Sequence, residues 1–341
     1  MSTSKVKQVL HLIDDAGLGG VMRVLVDQLP RLSAGCEHEI RHVDARWRLP
    51  STLQADVVVV HFTLSWSKLP FLAALRRRAG GARIVLVEHS YTEAYERLRV
   101  PSRGRFRAML RLAYAAADRV VAVSHAQGSW IRAAKLARWG RLVEIPQACD
   151  TSVLAELPAL ASGRNGPLRL GAYGRYAPQK GFDTLITAMR QIPPEVATLR
   201  LAGYGPDQAA LEALAQGLPH VQIGGPIDGP AGFLAEIDAV VIPSRWEAYG
   251  LVAAESRAAG RPVLAAGTDG LREQVSPECG ALFAADDPAA LAGAVRDLAS
   301  RDLVAMGAAC RRSVRGALDT TVAQWDELFR GLGLSCAAKA A

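Results

Sequence analysis

Three short segments in the second half of the chain carry residues whose types and spacing suit chemistry on an anionic ligand. In GAYGRYAPQKGFDTLI a strand-like run ends at Gly174, and Arg175 and Lys180 follow five residues apart on a Gly- and Pro-bearing loop that leads into a helix. Such a loop can turn two cations, with the free N–H groups of the helix start, toward one anion. An exposed basic loop with no ligand is the plain alternative. In DAVVIPSRWEAYGLVAAESRAAGRPVLA a strand ends at Pro243–Ser244, the next loop carries Glu247, and a helix begins near Gly250 with Glu255 one and a half turns in. Unpaired N–H groups at Tyr249, Gly250 and Leu251 would form a seat for a diphosphate, backed by about half a positive charge of helix dipole. Glu255 would accept the two hydroxyls of a ribose. Glutamates near a helix start that merely favour the dipole are the alternative here. In RPVLAAGTDGLREQV a buried strand runs into Gly267 and Gly270, where backbone approaches a ligand closely, and then into a short helix holding Glu273.

These segments need elements to position them. In the first half, strands are expected over Val6–Ile13, Glu39–Val43, Asp56–His61, Arg83–Glu88, Arg119–Ser124 and Leu142–Ile145, with helices over Val21–Leu32, Phe71–Arg78 and Arg105–Ala117. Continuous apolar runs such as DVVVVHF and ARIVLVE read as strands buried on both faces of a parallel sheet. Their alternation with helical patterns implies a doubly wound α/β domain. The pattern breaks at ELPALASGRNGP, then restarts with LRLGAYG, ATLRLAG, HVQIGG, DAVVIPS and RPVLAAG, and ends in helices near Asp302–Leu318 and Thr320–Gly331. The expected organisation is an N-terminal domain over 1–150, a linker over 151–166, a second Rossmann-like domain over 167–318, and a C-terminal helix and tail over 319–341, the helix packing back on the first domain.

Composition narrows the class. The chain has 341 residues, half of them hydrophobic, and 40 Lys+Arg against 33 Asp+Glu. Residues 1–160 hold 23 basic and 14 acidic side chains, +9, whereas the remainder holds 17 against 19, −2. The basic half points to an anionic partner: a membrane surface, a phosphorylated acceptor or nucleic acid. No stacked-aromatic or recognition-helix motif accompanies that charge, which argues against nucleic acid. Five scattered cysteines without C-x-x-C spacing give no disulfide framework or zinc site, and a cytoplasmic setting is expected. No run approaches 18 apolar residues, and the first apolar run is cut short by Asp14 and Asp15.

Taken together, the second-half segments resemble the nucleotide-sugar-binding domain of the GT-B fold, and specifically glycosyltransferase family 4. EAYGLVAAE (Glu247–Glu255) matches that family's E-x(7)-E motif and GRYAPQKG its G-R-x-x-x-x-K-G stretch, while LAGYGP and PVLAAGTDGLRE match two further segments. The resemblance implies two Rossmann-like domains facing across a cleft. It implies that Arg175 and Lys180 bind the diphosphate of a UDP- or GDP-sugar, Glu255 the ribose and Glu247 the donor sugar, with the base on backbone around Gly225–Ile227. Ala248 and Tyr249 stand where the family has Gly and Phe, and PQACD (Pro146–Asp150) replaces its PNGVD hinge. The first half matches more loosely. HLIDDAGLGGVMRVL would bring Gly19 and Gly20 near the donor phosphate or the acceptor, VEHSY would place His89 near the donor sugar, Ser124 ends a later strand, and His61 sits at a strand end.

The implied reaction is a retaining sugar transfer, with Arg175, Lys180 and a helix N-terminus stabilising the departing diphosphate. No D-x-D triplet occurs, and neither a metal nor another cofactor is expected. The alternatives are another GT-B enzyme, an epimerase or hydrolase, and a non-catalytic nucleotide-sugar-binding protein. The acceptor would be a sugar, a lipid-linked molecule or another small molecule, as in polysaccharide or lipopolysaccharide synthesis. Arg97, Arg99, Arg103, Arg105, Arg107 and Arg111 crowd within fifteen residues among Leu98, Val100, Phe106, Met109, Leu110 and Leu112. From Arg105 onward this spacing permits an apolar stripe flanked by arginines, suited to peripheral docking on the inner face of the cytoplasmic membrane. A helix whose stripe packs on its own sheet fits equally.

Overall fold

The computed structural model describes residues 6–14, 20–32, 36–43, 53–163 and 165–334. The chain forms two compact units, Met1–Asp150 with Gly316–Ala341, and Thr151–Arg315. Each is built on one six-stranded parallel sheet. The first sheet holds β1 (Lys7–Ile13), β2 (Cys36–His42), β3 (Val57–Val60), β4 (Arg83–Glu88), β5 (Arg119–Ala122) and β6 (Leu142–Glu144) in the order β2-β1-β3-β4-β5-β6. The second holds β7 (Leu168–Arg175), β8 (Ala197–Tyr204), β9 (Val221–Gly224), β10 (Ala239–Ile242), β11 (Val263–Ala266) and β12 (Gly280–Phe283) in the order β12-β11-β10-β7-β8-β9. The doubly wound α/β architecture read from the alternating pattern is the one observed.

Burial explains which runs became central strands. All four valines of β3 have no exposed surface, and β10 and β11 are likewise buried along their length. Helices therefore cover both faces, as parallel connections require. β2 begins at Cys36, three residues before its expected start, because CEHEIRH is an edge strand that alternates half-buried with exposed positions and lacks a continuous apolar run. β12 was not anticipated. GALF is four residues long and partly exposed, and its parallel pairing with β11 is what makes it a strand. The helices Glu93–Arg99 and His125–Ala133 were also not anticipated; Thr92 and Ser124 cap them, each accepting a backbone N–H three residues on.

One device recurs at three strand starts. Asp56, Asp118 and Asp238 each immediately precede a strand, β3, β5 and β10. Their backbone N–H groups donate to the carbonyls of Gln8, Ile84 and Arg169 on the neighbouring strand. Their carboxylates accept the N–H of the same three residues, at 2.9, 2.8 and 2.9 Å. The reciprocal pair locks register where each parallel ladder begins. Burial pushes the Asp118 carboxyl up, but the Ile84 N–H and Arg76 outweigh it and hold it below the ordinary aspartate range.

The stretch 151–166 contains the short helix Ser152–Ala155, and its Leu154 packs with Phe233, Leu234 and Ile237 of the second unit. Arg311 ties it down further by donating to the carbonyls of Ala155 and Leu157. The last helix, Ala317–Gly331, packs back on the first unit as expected: Thr321 Oγ1 donates to Pro146 O at 3.0 Å, and Trp325 and Phe329 are buried. Among the described residues no helix is long and apolar enough to cross a membrane.

Asp238→Ala should cost the second unit about 2–3 kcal/mol, because the Arg169 N–H loses a charged acceptor at the edge of the core. Urea denaturation should show a lower midpoint with an unchanged slope; an unchanged midpoint would mean that the pair does not set the register.

Candidate functional site

In a doubly wound sheet, ligands gather where strand order reverses, outside the carboxyl ends of the strands. In the second sheet that point lies between β7 and β10. Arg175 is the last residue of β7, Lys180 closes the loop after it, and Glu247 lies on the loop after β10. The two loops are sewn together. Arg245 N–H donates to Gln179 O at 2.8 Å, and Gln179 Nε2 donates to Trp246 O at 3.1 Å. The Arg245 guanidinium pairs with Asp183 and Asp286, each at 2.7 Å, and donates to Pro178 O at 2.8 Å. At Gly181, φ is +63°, and a Cβ there would lie 2.2 Å from Pro243 O, so only glycine lets the loop after β7 meet the end of β10.

This seam brings Lys180 Nζ to 2.5 Å from Glu247 Oε2, with side-chain exposures of 22% and 13%. The same carboxylate oxygen accepts from Ser244 Oγ at 3.2 Å. Lys180 and Glu247 are thus each other's counter-charge, whereas Arg175 is exposed and makes no ion pair among the described residues. The helix after Glu247 runs Leu251–Ala258, one residue later than expected, with Gly250 as a left-handed N-cap (φ +97°) and no side chain capping it. Its first turn therefore keeps donors free of side-chain competition. Glu255 is 3% exposed, and its Oε2 accepts from Tyr173 Oη at 2.5 Å. Tyr249 is buried and Ile227 half-buried in the second unit's apolar packing.

Two of the glycines are engaged by the chain itself. A Cβ on Gly270 would lie 2.4 Å from Ala248 O, and its N–H donates to Glu247 O, so its smallness serves packing of the chain on itself. Gly267 N–H is likewise spent on Phe283 O at 2.8 Å. The residues that hold Glu247 and the helix start were not singled out from sequence. Asp269 Oδ2 accepts the Glu247 N–H at 3.1 Å, and Gln274 Nε2 donates to Tyr249 O and Gly250 O at 2.5 and 3.1 Å. The TDG triplet, an aspartate before glycine at a strand end, was the available signal. Tyr173 and Arg245 had none, since only folding brings them to their partners.

In the first sheet the order reverses between β1 and β3. Gly20 opens the helix after β1, His61 follows β3 and His89 follows β4. Gly19 lies outside the described residues. His61 and His89 line a cavity of ≈ 20 Å³ with Gln28, Gln147 and Trp325, enough for about one water-sized group. Both ring nitrogens of His89 are engaged, by His61 Nδ1 at 2.9 Å and Gln147 Nε2 at 2.8 Å. Burial pushes His89 down to about 4, so its ring is neutral at neutral pH. Ser124 is a helix cap whose side chain accepts the Gln127 N–H.

Residues 16–153 match the family described as Glycosyltransferase Family 4, and residues 167–301 the family described as Glycosyl transferases group 1. A GDP-mannose-dependent alpha-(1-6)-phosphatidylinositol monomannoside mannosyltransferase of Mycobacterium tuberculosis is 30% identical over 317 residues, 85% of this chain and 80% of that protein. The chain belongs to glycosyltransferase family 4. A GDP-mannose-dependent alpha-(1-6)-phosphatidylinositol dimannoside mannosyltransferase of the same species is 38% identical over 132 residues, a match spanning 38% of this chain and about a third, 34%, of the relative's length. The GT-B fold recurs in sucrose-phosphate synthase from Thermosynechococcus elongatus (TM-score 0.77, 21% identity, 96% of this chain and 99% of that one). It recurs also in Anabaena HepE in complex with UDP and glucose (TM-score 0.73, 19% identity, 95% and 100% covered).

In this family 4 chain the basic segment is divided by packing. Met109, Leu110, Ala113 and Tyr114 of the helix Arg103–Ala115 are buried on their own sheet, so the stripe read as a docking face is core. Arg107 is held by Glu96 at 2.6 Å, and Arg111 donates to Ala134 O and Lys135 O. Arg97, Arg99, Arg103, Arg105 and Arg111 stay exposed along with Leu98 and Leu112, and Trp66 lies beneath the Arg105 guanidinium at 5.6 Å.

Gly181→Ala should cost about 3 kcal/mol, combining left-handed strain with overlap on Pro243 O. Denaturant unfolding reads the loss directly, and a neutral variant would show that the seam between the two loops yields.

Proposed function

We propose that the chain moves a sugar from a nucleotide-diphosphate donor to a hydroxyl acceptor with retention of configuration. The observation that carries this is the Lys180–Glu247 pair, which joins the loops after β7 and β10 beside a helix start that no side chain caps. Arg175, Lys180 and the N–H groups of residues 249–251 take the diphosphate. Its phosphates replace Glu247 as the partner of Lys180, which releases the carboxylate toward the sugar. Glu255, held by Tyr173, takes the ribose hydroxyls, and backbone near Ile227 takes the base. Charge that develops on the leaving diphosphate is met by fixed cations and amide dipoles already in position. The outgoing phosphate itself accepts the acceptor's proton, so the transfer needs no metal and no dedicated base. GDP-mannose is the donor of two of the relatives and UDP is bound in a fold neighbour, which makes GDP- and UDP-sugars the first donors to screen.

Lys180→Ala should weaken nucleotide-diphosphate binding by roughly 30- to 150-fold, about 2–3 kcal/mol, since it removes a charge-assisted contact and leaves Glu247 unpaired. Glu247→Gln should keep affinity, because Lys180 is then free, but lower turnover. Glu255→Gln should weaken binding itself. Calorimetry decides the assignment: binding lost in the Glu247 variant and kept in the Glu255 variant would reverse it.

Sugar transfer should persist in excess EDTA. Loss of activity on chelation, restored by magnesium or manganese, would contradict the metal-free mechanism.

The phosphatidylinositol-based acceptors of the relatives also favour a lipid acceptor and a peripheral position on an anionic membrane. Arg103, Arg105 and neighbouring Arg97 contribute about 1 kcal/mol each near such a surface, and Trp66, Leu98 and Leu112 supply apolar area. Sedimentation with vesicles should rise with anionic lipid, fall with salt, and weaken several-fold when Arg103 and Arg105 become Ser. Equal binding to neutral vesicles would leave the patch a solvated surface.

A further inference from the structure

Four histidines of the first unit form one continuous hydrogen-bonded chain. His38 lies on β2 and His11 on β1, while His61 and His89 directly follow β3 and β4, so neighbouring parallel strands contribute one ring each. His38 Nδ1 meets His11 Nε2 at 3.1 Å, His11 Nδ1 meets His61 Nε2 at 3.1 Å, and His61 Nδ1 meets His89 Nε2 at 2.9 Å. His89 Nδ1 is met by Gln147 Nε2 at 2.8 Å. Every junction joins Nδ1 of one ring to Nε2 of the next. The rings do not converge on a point: among the described residues no group of three His, Cys, Asp or Glu could hold a metal ion.

A neutral imidazole carries one N–H and one bare nitrogen, so a single junction decides the sense of the whole chain. The rings are neutral at neutral pH. Burial, and then His38, push His11 down to about 3; burial pushes His61 well below its ordinary value and His89 to about 4. Burial also lowers His38, against the raising effect of Asp326. The Gln147 amide nitrogen only donates, so His89 Nδ1 is the bare acceptor and His89 Nε2 carries the hydrogen. The same sense then repeats through His61 and His11. It ends with an N–H at His38 Nε2, a buried atom without a partner among the described residues. The negative charge of Asp326 acts on His38 and favours a proton at that end. Gln147 stands where the resembling PNGVD hinge has Asn.

We propose that Gln147, His61, His11 and His38 are positioning residues that act as one polarity relay, fixing His89 as the Nε2–H tautomer with Nδ1 as a hydrogen-bond acceptor. Any group that takes the place of the Gln147 amide beside the small cavity must then donate, as a sugar hydroxyl does and an ionised phosphate does not. A carboxylate or phosphate there would require all four rings to exchange tautomers together. The relay uses none of the residues of the functional reading, and tautomers are read without donor or turnover, so the two fail separately.

Long-range 1H–15N correlation spectra of the full chain labelled with 15N-histidine distinguish protonated from bare ring nitrogens. The wild type should show Nε2–H at all four rings; Nδ1–H at His89 would overturn the relay, and this arm needs no variant. Gln147→Glu offers only acceptor oxygens and should exchange protonated and bare nitrogens at His89, His61, His11 and His38. A change confined to His89, including its simple protonation, would show that nothing is relayed. In the His61→Phe background, Gln147→Glu should no longer alter His11 or His38. If it still does, the effect travels through the fold and the relay is wrong.

Discussion

Parallel pairing forces every loop that leaves the carboxyl end of a strand onto the same edge of its sheet, and each unit of this protein places its polar chemistry there. Hydrogen-bonded register, set by aspartates 56, 118 and 238, fixes which loops become neighbours. In the second unit the strand-order reversal between β7 and β10 sets the loops that carry Lys180 and Glu247 side by side, and the two side chains pair there. In the first, the reversal between β1 and β3 sets the helix that begins at Gly20 beside His61. A sheet with antiparallel neighbours would scatter these residues over two edges.

Around Lys180 and Glu247 the charges are graded by their partners. Arg245 is committed to Asp183 and Asp286, and these acids keep its guanidinium charged, which makes it a rivet between two loops. Lys180 has a single counter-charge at the edge of solvent, and Arg175 is exposed. On the proposed reading, a dianionic ligand meets one open cation and one that changes partner, next to a helix start with no side-chain cap. In the proposed exchange of a carboxylate for a phosphate, the half-buried Lys180 stays neutralised throughout.

The first unit solves a different problem, a row of rings in a buried strand environment. Imidazoles are tolerated there because each satisfies the next, and the cost of burying a polar atom falls on one nitrogen of His38. The basic excess of this half is spent unevenly. Arg107 and Arg111 tie secondary structure together, and Arg103 and Arg105 remain at the surface.

Continuous valine runs, the linked spacing of Arg175, Lys180, Glu247 and Glu255, and the break before Leu168 were legible in the chain alone, because each is a local pattern whose physical meaning does not depend on distant residues. Family membership follows from the same motifs. Partnerships between residues far apart in sequence were not legible. Tyr173 reaches Glu255 across 82 positions and Lys180 reaches Glu247 across 67, and nothing in the intervening residues announces either. Gly270 read as a ligand approach, and what its missing Cβ leaves room for is the Ala248 carbonyl of the chain itself, since a glycine's smallness does not name what fills the space. The arginine-flanked stripe read as surface and core alike, and only the sheet beneath it decided, by burying Met109 and Leu110 and leaving Leu112 out. The histidine chain is the extreme case. Four rings on or directly after four strands carry no spacing signal in sequence, and strand order with register places each nitrogen against the next.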